Sequence, residues 1–197
     1  MPLARSDIRA LVQQYLSRHP AEHASVAPLL TLLEEAVEDP TSRTTMPAHI
    51  TCSAVVIDQD RRVLHIHHKA SGLLLVPGGH PEPHDHTLLA AAVREVGEET
   101  GIKADALSLT PRLLNVPIDI AFHNIDARPD KDEPPHQHYD VRFALHLAVE
   151  RPELVLQTAE VTGAEWRGFG SVSSPTLRIK LLASDLDGPP SSGAGPR

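Results

Sequence analysis

From the N-terminus to Pro40, apolar positions recur with the period of an α-helix. They are spaced three or four residues apart over residues 6–18, and the spacing continues over residues 24–38. Pro40 ends the second pattern, and residues 39–47 are polar and rich in turn formers. The pattern predicts two amphipathic helices, which form an N-terminal helical extension over residues 1–46.

After this extension the period shortens to that of β-strands. The stretch ITCSAVVID, residues 50–58, is β-branched and apolar enough for a buried strand, and VLHIHH, residues 63–68, alternates as a hairpin partner would. A short apolar strand, LLLV, follows and ends at Pro77, Gly78 and Gly79. Further strands are expected at residues 112–120, 140–149 and 160–167.

Helical spacing returns between Thr87 and Gly101. Thr87 is a suitable N-cap, and the glycine is a good stop signal. A last helix is expected over residues 175–186, and the composition of residues 187–197 is typical of a disordered tail. Strands, a central helix and more strands predict an α+β fold with a mixed sheet, whose strand order the pattern leaves open.

Composition and charge narrow the function classes. The 197 residues carry a formal net charge of −8, so no basic excess exists to neutralise the phosphates of a nucleic-acid duplex. Cys52 is the single cysteine, which excludes an intrachain disulfide. No apolar run reaches the length of about 18 residues that a membrane span needs. We therefore expect a cytoplasmic protein that binds neither membrane nor duplex.

Three glutamates lie close together on the helix that ends at Gly101. Glu95, Glu98 and Glu99 are three or four positions apart, so their side chains share one helix face and repel one another. Such a cluster can bind a hard divalent cation through oxygen ligands. An acidic, solvent-facing stripe is the alternative. The glycine pair just upstream favours the cation site, because glycine lets backbone approach a ligand closely.

The stretch GGHPEPHDHTLLAAAVREVGEETGI, residues 78–102, resembles the signature of the Nudix hydrolases. Its second half fits that signature at every fixed position, namely Arg94, Glu95, Val96, Glu98, Glu99, Gly101 and Ile102. The resemblance implies a Nudix-type α/β/α sandwich with a mixed sheet over residues 47–186. Residues 1–46 lie outside it.

The resemblance also implies an activity. Nudix hydrolases use Mg²⁺ or Mn²⁺ and activated water to cleave a nucleoside diphosphate linked to another group. Carried over to this chain, the metal ligands are Glu95, Glu98, Glu99 and the carbonyl oxygen of Gly79. Glu95, Glu98 and Arg94 form the catalytic set, in which Glu95 is a further ligand or the general base and Arg94 orients the glutamates.

The first half of the signature departs from the family pattern. Asp85 occupies the position of a glutamate that braces the motif, and one extra residue separates it from Arg94. Asp85 can replace the glutamate by pairing with Arg94, and His86 is the competing alignment. The departure affects the bracing more than the metal ligands.

A second polar segment lies around residues 119–143. His138, Asp140 and Arg142 alternate along an expected strand, so their side chains point the same way. We expect them to border the substrate pocket and contact phosphate, base or a further metal. An ordinary exposed loop is the alternative.

Two other functions remain open at this stage. A nucleotide-sensing module of the same fold would bind without catalysis. A histidine-based metal-binding protein would use the HIHH run at residues 65–68 with His80, His84 and His86. The sequence does not choose among diphosphate substrates. The N-terminal helices could cap the pocket, form a homodimer interface or cover a face of the sheet.

Overall fold

The structure, a computed structural model, describes residues 3–129, 132–183 and 186. The helices are α1 (Arg5–Arg18), α2 (His23–Glu35), α3 (Leu88–Thr100) and α4 (Pro175–Ala183). The strands are β1 (Ala48–Ile57), β2 (Arg62–His68), β3 (Leu73–Leu75), β4 (Gly78–Gly79), β5 (Leu107–Leu109), β6 (Asp119–Ile125), β7 (His136–Leu147) and β8 (Val161–Gly168). None of the described helices has the length and apolar character to span a bilayer. The predicted disordered tail, residues 187–197, lies outside the described residues.

A parallel pair of strands, β1 and β7, runs through the centre of the sheet. The pairing extends from Ala48 opposite Gln137 to Ile57 opposite His146. The sheet order is β3-β2-β1-β7-β5, with β4 paired to β1, β6 to β7 and β8 to β2. All pairs other than β1 with β7 are antiparallel. The sheet is therefore mixed, and the predicted α+β class is confirmed.

Strand β1 is buried along its whole length because helices cover both of its faces. Ile50, Cys52, Ala54 and Val56 lie in one apolar core with residues of α1, α2 and α3. Val55 and Ile57 point to the opposite face and lie in a second core with residues of α4. This double burial explains why the β1 sequence is a continuous apolar run rather than an alternating one.

The N-terminal helices cover a face of the sheet. The buried stripe of α1 consists of Ile8, Val12, Tyr15 and Leu16, and that of α2 consists of Val26, Leu29 and Leu33. These side chains join the same core as Ile120 of β6 and Tyr139 and Val141 of β7. Among the three arrangements considered for this extension, packing on the sheet is the one that the structure displays.

The boundaries of α3 follow the predicted capping signals. The Thr87 side chain accepts a hydrogen bond of 2.9 Å from the backbone N–H of Ala90. At the other end, Gly101 has a φ of 74°, a left-handed conformation that glycine adopts without strain. Leu88, Ala91, Ala92 and Val96 are buried on the inner face of the helix. The helix therefore has a fixed rotation, which directs its glutamates to one side.

Several strand predictions are wrong in their bounds or partners. Residues 111–115 form turns, and β6 begins only at Asp119, because Pro111 and Pro117 interrupt the predicted strand 112–120. The three-residue strand β5 is not predicted at all, and β7 begins at His136, ahead of the expected 140. The predicted hairpin of β1 with β2 is reduced to the pair Ile57 and Val63, since β2 pairs along its length with β8.

A buried group of charges ties the N-terminal helices to the rest of the fold. The Lys180 ammonium lies 2.6 Å from Asp119 Oδ1 and 2.8 Å from Glu22 Oε1, and it also donates to the Tyr15 hydroxyl. Asp119 is fully buried and receives a second hydrogen bond, of 3.2 Å, from Arg142. This buried group of charges therefore links the segment between α1 and α2 to β6, β7 and α4.

We expect Lys180→Met to lower the free energy of unfolding by about 3 kcal/mol, because it leaves buried carboxylates without their shared cation while keeping the apolar stem. Urea denaturation monitored by circular dichroism measures this. The control is Arg9→Ala, which breaks the half-exposed pair of Arg9 and Glu34 and should cost less than about 1 kcal/mol. Equal, small losses for both variants would contradict a stabilising role for the Lys180 network.

Candidate active site

The three glutamates of α3 converge beside the glycine strand β4. Glu99 is 2% exposed, and its Oε2 accepts a hydrogen bond of 3.0 Å from the backbone N–H of Gly78. The Glu95 side chain is 12% exposed and the Glu98 side chain 49%. The exposure of the carboxylates therefore increases from Glu99, which is buried, to Glu98, which is open to solvent. The cluster is not a purely solvent-facing stripe.

The two glycines of β4 allow this approach. A Cβ added to Gly79 would lie 2.5 Å from Glu95 Oε1, and one added to Gly78 would lie 2.4 Å from Ser53 Oγ and 2.5 Å from the carbonyl oxygen of Cys52. Any larger residue would therefore collide with the glutamate on one side or with β1 on the other. The glycine pair lets helix, strand and carboxylates close around a narrow space.

Arg94 is the hub of the hydrogen bonds around the glutamates. One terminal nitrogen lies 3.0 Å from Glu95 Oε1 and 2.8 Å from Glu98 Oε2, and the other donates to the His80 carbonyl oxygen at 2.9 Å. Asp85 pairs with the same guanidinium at 3.0 Å, which confirms the expected pairing of Asp85 with Arg94. His86, the competing alignment, is exposed. Arg94 thus holds two of the three glutamates by direct contact.

Burial makes the innermost carboxylates poor acids. It raises the pKa of Glu99 to about 8; the Gly78 N–H opposes this rise, while the charges of Glu95 and Glu160 add to it. Burial also raises the pKa of Glu95, and the charge of Arg94 only partly offsets the effect. Without an added positive charge, the cluster holds protons that a free glutamate would lose.

A groove of about 1820 Å³ opens in front of the cluster. The glutamates, Gly79 and Glu160 line it, and so do His138, Asp140 and Arg142 of β7. The structure thus brings every predicted metal-ligand residue and every predicted substrate-binding residue to the same groove. Phe122 of β6 is the one phenylalanine, tyrosine or tryptophan among the described lining residues, and its ring could stack on a base. Tyr139 and Phe143, by contrast, are buried in the core.

The predicted substrate residues on β7 differ in how their polar atoms are engaged. Asp140 accepts a hydrogen bond of 2.7 Å from Ser53 and pairs with Arg142 at 2.8 Å. Arg142 is 5% exposed and also donates to Asp119 and to His123. Arg142 therefore holds Asp140 and His123 at the rim of the groove, and its direct contact with substrate stays a prediction.

Sequence reasoning missed His49, one of two further histidines that lie beside this groove. His49 at the start of β1 and His136 at the start of β7 join His80 and His138 in one group of rings. The parallel register places His49 directly opposite His138. No pattern in the linear sequence signals this pairing, because it depends on which strands become neighbours.

Comparison with known proteins gives one family. The NUDIX domain matches residues 47–182. The "Probable DHNTP pyrophosphohydrolase" of Lactococcus lactis subsp. cremoris (strain MG1363) is 32% identical over 127 residues, which are 64% of this chain and 70% of that protein.

Comparison with solved structures gives further similar proteins. The E. coli dihydroneopterin triphosphate pyrophosphohydrolase aligns with a TM-score of 0.51 at 22% identity, over 67% of this chain and 91% of that one. An Ap4A hydrolase of C. elegans, in a binary complex, aligns with a TM-score of 0.48 at 15% identity, over 68% and 92% of the two chains.

We expect the raised pKa of Glu99 to make the chelator-treated protein lose stability as the pH rises. The folded-state pKa of about 8 exceeds the unperturbed value of about 4.3. The stability from protonated Glu99 is therefore full below about pH 4 and is lost as the pH rises through about 8, by an amount on the order of a few kcal/mol.

Thermal unfolding of wild type and Glu99→Gln, compared between about pH 5 and pH 8.5, measures this loss. The Tm of Glu99→Gln minus the Tm of wild type should increase as the pH rises. Glu35→Gln, at an exposed glutamate of α2, is the matched control and should follow the wild-type curve. Parallel curves for wild type and Glu99→Gln would show that Glu99 ionises as an ordinary glutamate.

Proposed function

The chain belongs to the NUDIX family and is one of its pyrophosphohydrolases, and we propose that it hydrolyses the diphosphate bond of a nucleoside diphosphate linked to another group with the help of Mg²⁺ or Mn²⁺. The observation that carries this proposal is the convergence of Glu95, Glu98 and Glu99 on the backbone of β4, with Glu99 almost fully buried. Buried carboxylates repel one another unless a cation joins them.

The donors present suit a hard divalent cation. Carboxylate and carbonyl oxygens are the ligands that Mg²⁺ and Mn²⁺ take, and a half-exposed site leaves room for retained water. We assign the ligand role to Glu95, Glu98, Glu99 and the carbonyl oxygen of Gly79. When bound, the ion neutralises charge on the diphosphate and lowers the pKa of a coordinated water.

The protein's own groups position these ligands and the substrate. Arg94 is a positioning residue, because its hydrogen bonds hold Glu95 and Glu98, and Asp85 holds Arg94 in turn. Glu95 is a further ligand or the base that accepts the proton of the attacking water. The water oxygen bonds to one phosphorus, the bridging P–O bond breaks, and the leaving phosphate group takes the electron pair.

The β7 residues that line the groove are the proposed substrate-binding side. His138 and Asp140 line the same groove as the glutamates, and Arg142 pairs with Asp140. Phe122 offers a ring face for a planar base. The two relatives named for the pyrophosphohydrolysis of dihydroneopterin triphosphate make a triphosphate on a fused-ring base the substrate class to test first.

We expect the protein with Mg²⁺ to cleave a diphosphate bond in one member of a panel that contains dihydroneopterin triphosphate, nucleoside triphosphates, ADP-ribose and a dinucleoside tetraphosphate. The triphosphates would release pyrophosphate, ADP-ribose would give AMP and ribose 5-phosphate, and the tetraphosphate would give two nucleotides. Replacing both Glu98 and Glu99 by Gln should lower kcat at least about 100-fold, since loss of charge stabilisation of this kind costs about 3 kcal/mol or more. The Glu35→Gln variant should match wild type. Tight nucleotide binding by wild type without turnover would overturn the enzymatic proposal and favour a sensing module.

Two glycine substitutions distinguish an effect on the glutamate site from an effect on helix α3. Gly79→Ala should lower kcat by about 10-fold or more, because its Cβ would displace the Glu95 carboxylate. Gly97→Ala lies on α3, where the nearest atom to the added Cβ is the Ile102 carbonyl oxygen at 3.5 Å. It should leave kcat unchanged and stabilise the protein by about 0.5–1 kcal/mol. Steady-state kinetics with thermal unfolding tests both, and an unaffected kcat in Gly79→Ala would argue against the role of Glu95.

A further inference from the structure

Four histidine rings form a compact cluster next to the glutamates. His49 comes from the start of β1, His80 follows directly after β4, and His136 and His138 come from the start of β7. The ring centroid of His49 lies 4.6 Å from that of His138 and 5.0 Å from those of His80 and His136. Three segments that are far apart in the sequence thus contribute imidazoles to one place.

The nitrogen atoms of three of these rings converge. One ring nitrogen each of His49, His80 and His138 lie within 4.8 Å of one another. The Nε2 atoms of His49 and His80 are 3.0 Å apart, close to the separation of about 3.4 Å that two nitrogens have on a tetrahedral zinc ion. The three side chains can therefore each direct one nitrogen to a single ion.

Backbone carbonyl groups orient the innermost ring. The Nδ1 of His49 lies 2.9 Å from the Thr45 carbonyl oxygen, which can only accept, so Nδ1 carries the proton and Nε2 presents its lone pair. His136 repeats the arrangement, with Nδ1 2.9 Å from the Pro134 carbonyl oxygen and Nε2 3.0 Å from His138 Nε2. Metal-binding histidines are commonly oriented by such a hydrogen bond from the second ring nitrogen.

Two of the four rings are buried, and the other two are partly exposed. His49 is fully buried and His136 is 6% exposed. Burying several polar rings together costs free energy unless their nitrogens find partners. Neutral nitrogen donors are the ligands that zinc and similar ions prefer over oxygen donors.

We propose that His49, His80 and His138 bind one divalent transition-metal ion of the zinc class through their imidazole nitrogens. His136 supports this site through its contact with His138. The donor set differs from the oxygen donors of the glutamate cluster, so the two sites select different ions. Three protein ligands are also the number found at zinc sites that keep one position for water or substrate.

The proposed ion would border the same groove as the glutamates. His80 and His138 line the groove, whereas His49 stands behind them. His80 follows Gly79, whose carbonyl oxygen belongs to the proposed oxygen-ligand site, and the His80 carbonyl oxygen accepts from Arg94. The histidine site would therefore fasten β1, β7 and the segment after β4 at the rim where substrate enters.

The test measures zinc in a protein that lacks the glutamate site. Full-length chain carrying Glu98→Gln and Glu99→Gln, purified without a polyhistidine tag and stripped with chelator, is equilibrated with Zn²⁺ and analysed for metal content. We expect one zinc per chain and a higher Tm with zinc, because an ion bound only by the folded state stabilises it. The visible spectrum of Co²⁺ in the same protein should report nitrogen ligation and low coordination number.

Variants in the same background identify the ligands. His80→Gln and His138→Gln should each weaken zinc binding at least 10-fold and remove the rise in Tm. His86→Gln, an exposed histidine in the same loop as His80, is the matched control and should bind zinc unchanged. The His80 variant alters a half-buried loop residue, so it keeps the test decisive if the His138 variant does not fold.

Two results would overturn the proposal. Zinc that disappears in the protein lacking Glu98 and Glu99 would belong to the carboxylates alone. Zinc that persists undiminished in both histidine variants would belong to other histidines. Since these measurements read zinc binding by a variant that lacks two of the glutamates, neither result bears on whether the wild-type chain hydrolyses a diphosphate.

Discussion

The parallel pairing of β1 with β7 is the constraint on which the rest of the structure depends. Its register sets Ser53 beside Asp140 and His49 opposite His138, and it makes the centre of the sheet apolar on both faces. A slip by one residue would turn every β1 side chain to the other face and separate these pairs. The groove, its β7 wall and the histidine cluster all follow from one ladder of backbone hydrogen bonds.

At the glutamate cluster, negative charge is offset mainly by ion pairs and hydrogen bonds rather than by contact with solvent. Arg94 sets one cation against Asp85, Glu95 and Glu98, while Glu99 is left to the single N–H of Gly78. The arrangement is stable enough to hold the carboxylates in place but leaves the innermost one short of positive charge. Such incomplete compensation is a common physical property of sites that bind a cation, because a fully paired carboxylate has little to gain from it.

Local signals in the sequence predict the helices and the glutamate cluster well. Thr87 and Gly101 bound α3, and the spacing of Glu95, Glu98 and Glu99 brings them to one face, because both effects act within a few residues. Long-range pairing is a different matter. Strand β2 pairs along its length with β8 rather than with β1, and His49 lies opposite His138. Both pairings depend on competition among strands across the whole chain, which local periodicity does not reveal. Arg142 illustrates the same limit, since its partners Asp119 and His123 lie on another strand.

The shared core of α1, α2 and the sheet bears on how this chain can be divided. The NUDIX match begins at residue 47, yet Ile8, Val12 and Val26 pack in the same core as Ile50 and Val141. Lys180, near the end of the match, draws its partner Glu22 from before its start. A boundary drawn from family resemblance therefore cuts through one apolar core, and a truncation at that point would expose apolar surface and leave Lys180 with Asp119 but without Glu22 and Tyr15.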